Sequence, residues 1–119
     1  DVLSIHLVLS ARTQGIVGKK EIAWMKPTAY IVNTSRGPII SEKALLTALL
    51  EKEIAGAGLD VFDVEPLPVD HPLRRLDNVL LTGHTGYVIK ELWSKAYSQV
   101  VEDITAWQLG SCIRVLNEG

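Results

Sequence analysis

The chain has 119 residues, 47% of them apolar, which is enough to bury the core of one small domain. Its formal net charge of −2 comes from acids and bases mixed along the sequence, so no basic stripe exists to neutralise phosphates, and no nucleic-acid partner is expected. A lone cysteine, Cys112, excludes an intrachain disulfide, no charged-then-apolar leader opens the sequence, and no apolar run approaches the roughly twenty residues that cross a bilayer, so a cytoplasmic chain without a membrane segment is expected.

Val2 to Leu9 is a short apolar run with β-branched members, bounded by the polar stretch Ser10 to Gln14, and reads as a buried strand. A short helix is predicted at about Lys19 to Met25, stopped by Pro27, which has no N–H to continue the ladder. Ala29 to Val32 reads as a second strand running into the polar turn Asn33-Thr34-Ser35-Arg36-Gly37-Pro38. Ser41 is placed to cap a helix whose apolar face is Ala44, Leu45, Ala48 and Leu49. Leu59 to Phe62 with the small residues before it reads as a third strand, and Ala55-Gly56-Ala57-Gly58 lets neighbouring backbone approach it closely. Asp63 to Asp77 holds most of the prolines and reads as an irregular loop, followed by a fourth strand at Val79 to Thr82. A closing helix at about Ile89 to Leu109, ended by Gly110, puts Leu92, Trp93, Ala96, Tyr97, Val100, Ile104 and Trp107 on one face, as core or interface residues. Short apolar strands alternating with helices, with no hairpin turns, predict an α/β fold: a parallel sheet covered by helices.

In such sheets ligands sit beyond the carboxyl ends of the strands. His6-Leu7-Val8, Thr34-Ser35-Arg36-Gly37, Asp60 through Glu65, and His84-Thr85-Gly86 all fall there. Each has an ordinary structural explanation when taken singly. Together they supply an acid, a base and a guanidinium at one sheet edge, which is what carbonyl reduction requires. His84 suits proton donation near neutral pH, Glu65 suits holding that ring protonated and oriented, and Arg36 suits a substrate carboxylate, because its charge never titrates and its fork matches two oxygens.

Asn33-Thr34-Ser35-Arg36-Gly37, Gly58-Leu59-Asp60-Val61-Phe62, Glu65-Pro66-Leu67-Pro68, His71-Pro72-Leu73 and Asn78-Val79-Leu80-Leu81-Thr82-Gly83-His84 resemble, in order and spacing, the D-isomer-specific 2-hydroxyacid dehydrogenases. The opening Ser4 to Ser10 is similar to the same family, so the resemblance spans nearly the whole chain. It implies the second half of a Rossmann-like NAD-binding domain, a three-layer parallel sheet with helices on both faces. It also implies NAD or NADP as cofactor and a 2-keto acid or D-2-hydroxy acid as substrate. Arg36, Glu65 and His84 are then the catalytic residues, and Leu7, Thr34, Ser35, Arg36, Asp60, His84 and Gly86 line the cofactor, with Asp60 at its nicotinamide end. Glu at position 65, where the formate dehydrogenase branch has Gln, fits a reaction that moves a proton.

Two departures stand out. The residue before the catalytic histidine is usually Pro in that family and is Gly83 here, and no Gly-x-Gly-x-x-Gly occurs in the sequence. The substrate domain and glycine-rich loop are thus expected to be absent from residues 1–119, leaving the isolated chain inactive and weak in cofactor binding. A nonenzymatic interaction module of the corepressor-like branch is the alternative. A hydrolase built on Ser35, His84 and Asp60 is disfavoured because no Gly-x-Ser-x-Gly surrounds Ser35, and His6, His71 and His84 have no metal-chelating spacing. In the family's sheet order the first strand here becomes an edge, and the family dimerises through this domain. A homo-oligomer covering residues 2–9, the closing helix, or both is expected.

Overall fold

The computed structural model describes residues 1–116, which form two units, one spanning Asp1–Gly86 and one beginning at Tyr87. In the first unit, four strands, β1 (Val2–Ile5), β2 (Tyr30–Asn33), β3 (Gly56–Leu59) and β4 (Val79–Leu81), pair in parallel in the order β1-β2-β3-β4. Helix α1 (Lys19–Ile22) connects the first two strands and α2 (Glu42–Leu50) the second and third. The sheet advances in one direction, so right-handed crossovers bring α1 and α2 to the same face.

Register explains where the strands stop. Ile5 is opposite Asn33, and the chain turns away from the sheet at Thr34, so His6 to Leu9 have no ladder to join, and the strand predicted to reach Leu9 ends at Ile5. The third strand consists of the small residues and ends at Leu59: Gly56 to Leu59 pair with Tyr30 to Asn33, and Asp60 to Phe62, predicted to continue it, lie beyond its end. α1 ends at Ile22 because the Trp24 and Met25 amides bond to the carbonyls three residues back, Glu21 and Ile22. Ser41 occupies the N-cap position of α2, but its side chain does not cap the helix. Within the predicted loop, Pro72–Arg75 forms a single 3-10 turn rooted by buried Leu73.

Alternation along the strands gives two unlike faces. Leu3, Ile31, Ala57 and Val79 are register partners on one of them. They pack with Ile22, Leu45, Leu49, Ile54 and Leu73 into the core. Ile31, Ile39 and Ile54 are fully buried, and truncating any of them to alanine removes about 2–5 kcal/mol. On the opposite face Val2, Tyr30 and Leu80 are exposed.

The second unit is α3 (Lys90–Gln108), followed by a turn in which Gly110 takes a φ of 72°. Trp93 and Tyr97, one turn apart, stack with ring centroids 5.1 Å apart. Arg114 folds back onto Asp103 at 2.6 Å and onto Glu102. None of the side chains of α3 is buried, so its apolar stripe is not core among the described residues. No helix among them is long and apolar enough to cross a membrane.

Candidate active site

The turn leaving β2 is built by Asn33. This buried side chain accepts the Ser35 N–H at 3.0 Å and donates to the Arg36 carbonyl at 3.0 Å, which fixes Thr34, Ser35 and Arg36 at the sheet edge. The Ser35 hydroxyl donates to the Leu7 carbonyl at 2.5 Å, tying the segment after β1 to the same turn. The Arg36 side chain is exposed, with Nη1 donating to the Ser35 carbonyl at 2.6 Å.

Gly37 is where this turn meets the loop after β3. A Cβ there would lie 2.1 Å from the Phe62 carbonyl carbon and 2.5 Å from the Asp63 nitrogen, so only glycine allows the two backbones to approach this closely. The loop beyond Phe62 closes on itself, because the Phe62 N–H donates to Glu65 Oε1 at 2.9 Å. The other oxygen, Oε2, lies 2.7 Å from His84 Nδ1. The hydrogen bond to His84 is the main reason the Glu65 carboxyl sits below its ordinary value. Burial opposes this, while the Phe62 amide and the charges of His84 and Arg36 add to it.

Asp60, at the end of β3 and buried, organises the segment after β4. Its Oδ1 accepts from the Thr82 hydroxyl at 2.5 Å and the Thr85 N–H at 2.9 Å, and its Oδ2 accepts from the Gly86 N–H at 2.8 Å. Burial alone would raise this carboxyl. The Thr82 hydroxyl, the Gly86 and Thr85 amides and the charge of His84 outweigh it, and the group lies below its ordinary value. The Asp60 carbonyl accepts the His84 N–H at 2.8 Å. His84 has a φ of 57°, a left-handed conformation costing roughly 1–2 kcal/mol in a non-glycine residue, and the Asp60 and Glu65 contacts hold it there. Gly83 is not in a left-handed conformation, and a Cβ on it would meet open space. The Asp60 carbonyl and the Glu65 carboxylate thus both hold His84.

Glu65 and His84 line a cleft of about 520 Å³ floored by Phe62, Leu67 and Leu81, with Arg74 on its wall. Arg36 and Asp60 lie outside that lining. Asp60, Gly86 and Thr34 form a neighbouring group: a Cβ at Gly86 would lie 3.0 Å from Asp60 Oδ2 and 3.8 Å from Thr34 Cβ. The carboxylate of Asp60 can accept about four hydrogen bonds, and three are described. That leaves capacity for a donor such as an amide, so the group fits the nicotinamide end of a cofactor. Asn33, Thr82 and Arg74 are contributors that sequence reading passes over. An Asn ending an apolar strand before Thr-Ser is a turn signal that points to the first of them, and nothing local marks the other two. Among the described residues no group of three or more His, Cys, Asp or Glu side chains converges to hold a metal.

Comparison with known proteins gives this geometry a family. The profile described as D-isomer specific 2-hydroxyacid dehydrogenase, NAD binding domain, matches residues 1–86. A glyoxylate reductase of Korarchaeum cryptofilum is 44% identical over 110 residues, covering 92% of this chain and 33% of that protein. Two solved structures are similar throughout. One is a D-lactate dehydrogenase with NAD+ from Lactobacillus jensenii, with a TM-score of 0.82 and 30% identity over 100% of this chain and 40% of that one. The other is a D-isomer specific 2-hydroxyacid dehydrogenase from Xanthobacter autotrophicus Py2 in complex with NADPH and MES, with a TM-score of 0.74 and 37% identity over 95% of this chain and 46% of that one. The chain thus spans about a third of the length of the curated relative and less than half of the solved chains. With its Rossmann-like parallel sheet and NAD or NADP as the cofactor type, this chain belongs to the NAD-binding domain family of the D-isomer-specific 2-hydroxyacid dehydrogenases.

Proposed function

We propose that residues 1–86 carry the acid–base half of a 2-keto acid reductase, the segment of a nicotinamide-binding domain that follows its glycine-rich loop. The observation that carries the reading is the 2.7 Å contact between His84 Nδ1 and Glu65 Oε2 on the wall of an open cleft. A carboxylate on Nδ1 orients the ring and turns Nε2 to the task of donating a proton to a carbonyl oxygen as negative charge grows there. Arg36 holds the substrate carboxylate, so that the carbonyl is set beside the same ring. Leu7, Thr34, Ser35, Asp60 and Gly86 line the place of the nicotinamide, which when bound supplies the hydride that makes the new C–H bond. In the reverse direction His84 takes the proton from the 2-hydroxy group. Glyoxylate and hydroxypyruvate are the substrates to test first, because the glyoxylate reductase relative is 44% identical to this chain.

The test is a graft. Residues 1–110 replace the matching segment of the Korarchaeum glyoxylate reductase, and oxidation of NADH or NADPH is followed with glyoxylate. Turnover is expected. Arg36→Gln should raise KM for the keto acid more than it lowers kcat. A folded graft that binds cofactor and turns over no 2-keto acid overturns the reading and leaves the interaction module standing.

A further inference from the structure

Glu65 sits on a loop, and a loop carboxylate holds a histidine at 2.7 Å only if something fixes the loop. The Phe62 N–H on Glu65 Oε1 closes the near side. On the far side the Arg74 guanidinium donates through Nε to the Pro68 carbonyl at 2.9 Å and through Nη2 to the Leu67 carbonyl at 2.7 Å. Those carbonyls follow directly on the Glu65-Pro66 step. We propose that Arg74 is a positioning residue for the reaction, clamping Leu67 and Pro68 so that Glu65 meets His84.

The clamp has a firm base. Arg74 belongs to the 3-10 turn Pro72–Arg75, whose Leu73 is buried at 2% exposure. His71, at the start of that turn, accepts the Leu73 N–H on Nδ1 and meets Glu42 of α2 through Nε2, both at 3.3 Å. The His71 N–H also donates to the Pro68 carbonyl at 3.1 Å. The guanidinium thus passes the rigidity of the core to the turn that carries Glu65. Its two donors reach two successive carbonyls, a fork that the single ammonium of lysine does not reproduce. The same side chain lines the cleft with Glu65 and His84, so the clamp lies on the substrate side of the loop.

This proposal rests on reading Glu65 and His84 as an acid–base pair, and the experiment separates the two. The Glu65 carboxyl is titrated by carbon-detected NMR in the 119-residue chain, in Arg74→Lys, which keeps the charge and loses the fork, and in Arg74→Gln. Both substitutions should move the Glu65 midpoint up towards that of an ordinary glutamate. The Phe62 amide should exchange roughly tenfold faster, as loss of one hydrogen bond implies, while β2 and β3 exchange as in the parent. Movement in Arg74→Gln alone would show a charge effect and overturn the clamp, as would no movement in either variant. A parent Arg74 Nε proton that exchanges freely would also overturn it, whatever the variants do. An ordinary Glu65 midpoint in the parent would instead defeat the acid–base reading itself.

Discussion

The approach of the Arg36 turn to the Glu65 loop hangs on one hydrogen atom, the one glycine carries where other residues carry a Cβ. In Gly37→Ala that Cβ would sit 2.1 Å from the Phe62 carbonyl carbon, 2.3 Å from its oxygen and 2.5 Å from the Asp63 nitrogen. Relief to an ordinary contact of about 3.5 Å needs a separation of more than about 1 Å, and all three atoms are backbone, so no side chain can swing aside. Overpacking costs about 1–3 kcal/mol, and the upper end applies here. The separation should also draw Arg36 away from Glu65. Gly83→Ala, in the same site, is the control with the opposite sign: its Cβ meets open space, its φ is not left-handed, and it should stabilise by about 0.4–1 kcal/mol through the unfolded chain. Urea unfolding of the two variants measures both. If Gly37→Ala falls within about 0.5 kcal/mol of the parent, the range of a surface change, the close approach does not exist as described.

Asp60→Asn removes a carboxylate that accepts three hydrogen bonds and should cost about 1–3 kcal/mol near neutral pH. Because its pKa is depressed in the folded state, the contribution of Asp60 is complete above the unfolded value of about 3.9 and is lost as pH falls through the folded value. Thermal unfolding should accordingly show the parent and variant converging in acid, and a gap that widens there would reverse the sign. His84→Gln removes the largest cause of the low Glu65 pKa, so the Glu65 titration should move up, and an unchanged midpoint by NMR would count against the pairing. Without a Gly-x-Gly-x-x-Gly, the 119-residue chain should bind NAD only weakly by calorimetry, and micromolar affinity would contradict that. The exposed apolar groups of the second sheet face and of α3 should make the chain self-associate, and light scattering of a monomer at high micromolar concentration would refute it.

Apolar runs located β1, β2 and β4, whose core-facing residues Leu3, Ile5, Ile31, Val79 and Leu81 pack on the core, and the Lys90–Gln108 helix followed from its period. Strand ends were not legible, since Ile5 is the last residue of β1 only because its partner Asn33 precedes a turn on another strand. The extent of β3 was legible only in part, its small residues belonging to the strand and Asp60 to Phe62 lying beyond its end. Gly-Ala-Gly-Leu has little strand propensity of its own, and pairing with Tyr30–Asn33 overrides that. Arg36, Glu65 and His84 stood out as candidates because an acid, a base and a guanidinium fall together at strand ends, in the order of the family's motifs. Asn33 bonds within its own turn, whereas Thr82 and Arg74 act through hydrogen bonds to Asp60 and to the Leu67 and Pro68 carbonyls, partners that no local pattern encodes.

The central claim is that His84 moves the proton, and the graft described above tests it most directly when His84→Gln is introduced and cofactor affinity is measured beside turnover. The account predicts that kcat for glyoxylate reduction falls by about 10² to 10⁴, the usual worth of a general acid, while NADH affinity stays within about twofold. A kcat within about threefold of the unsubstituted graft would contradict it, because loss of the acid must lower the rate wherever proton transfer accompanies the chemical step.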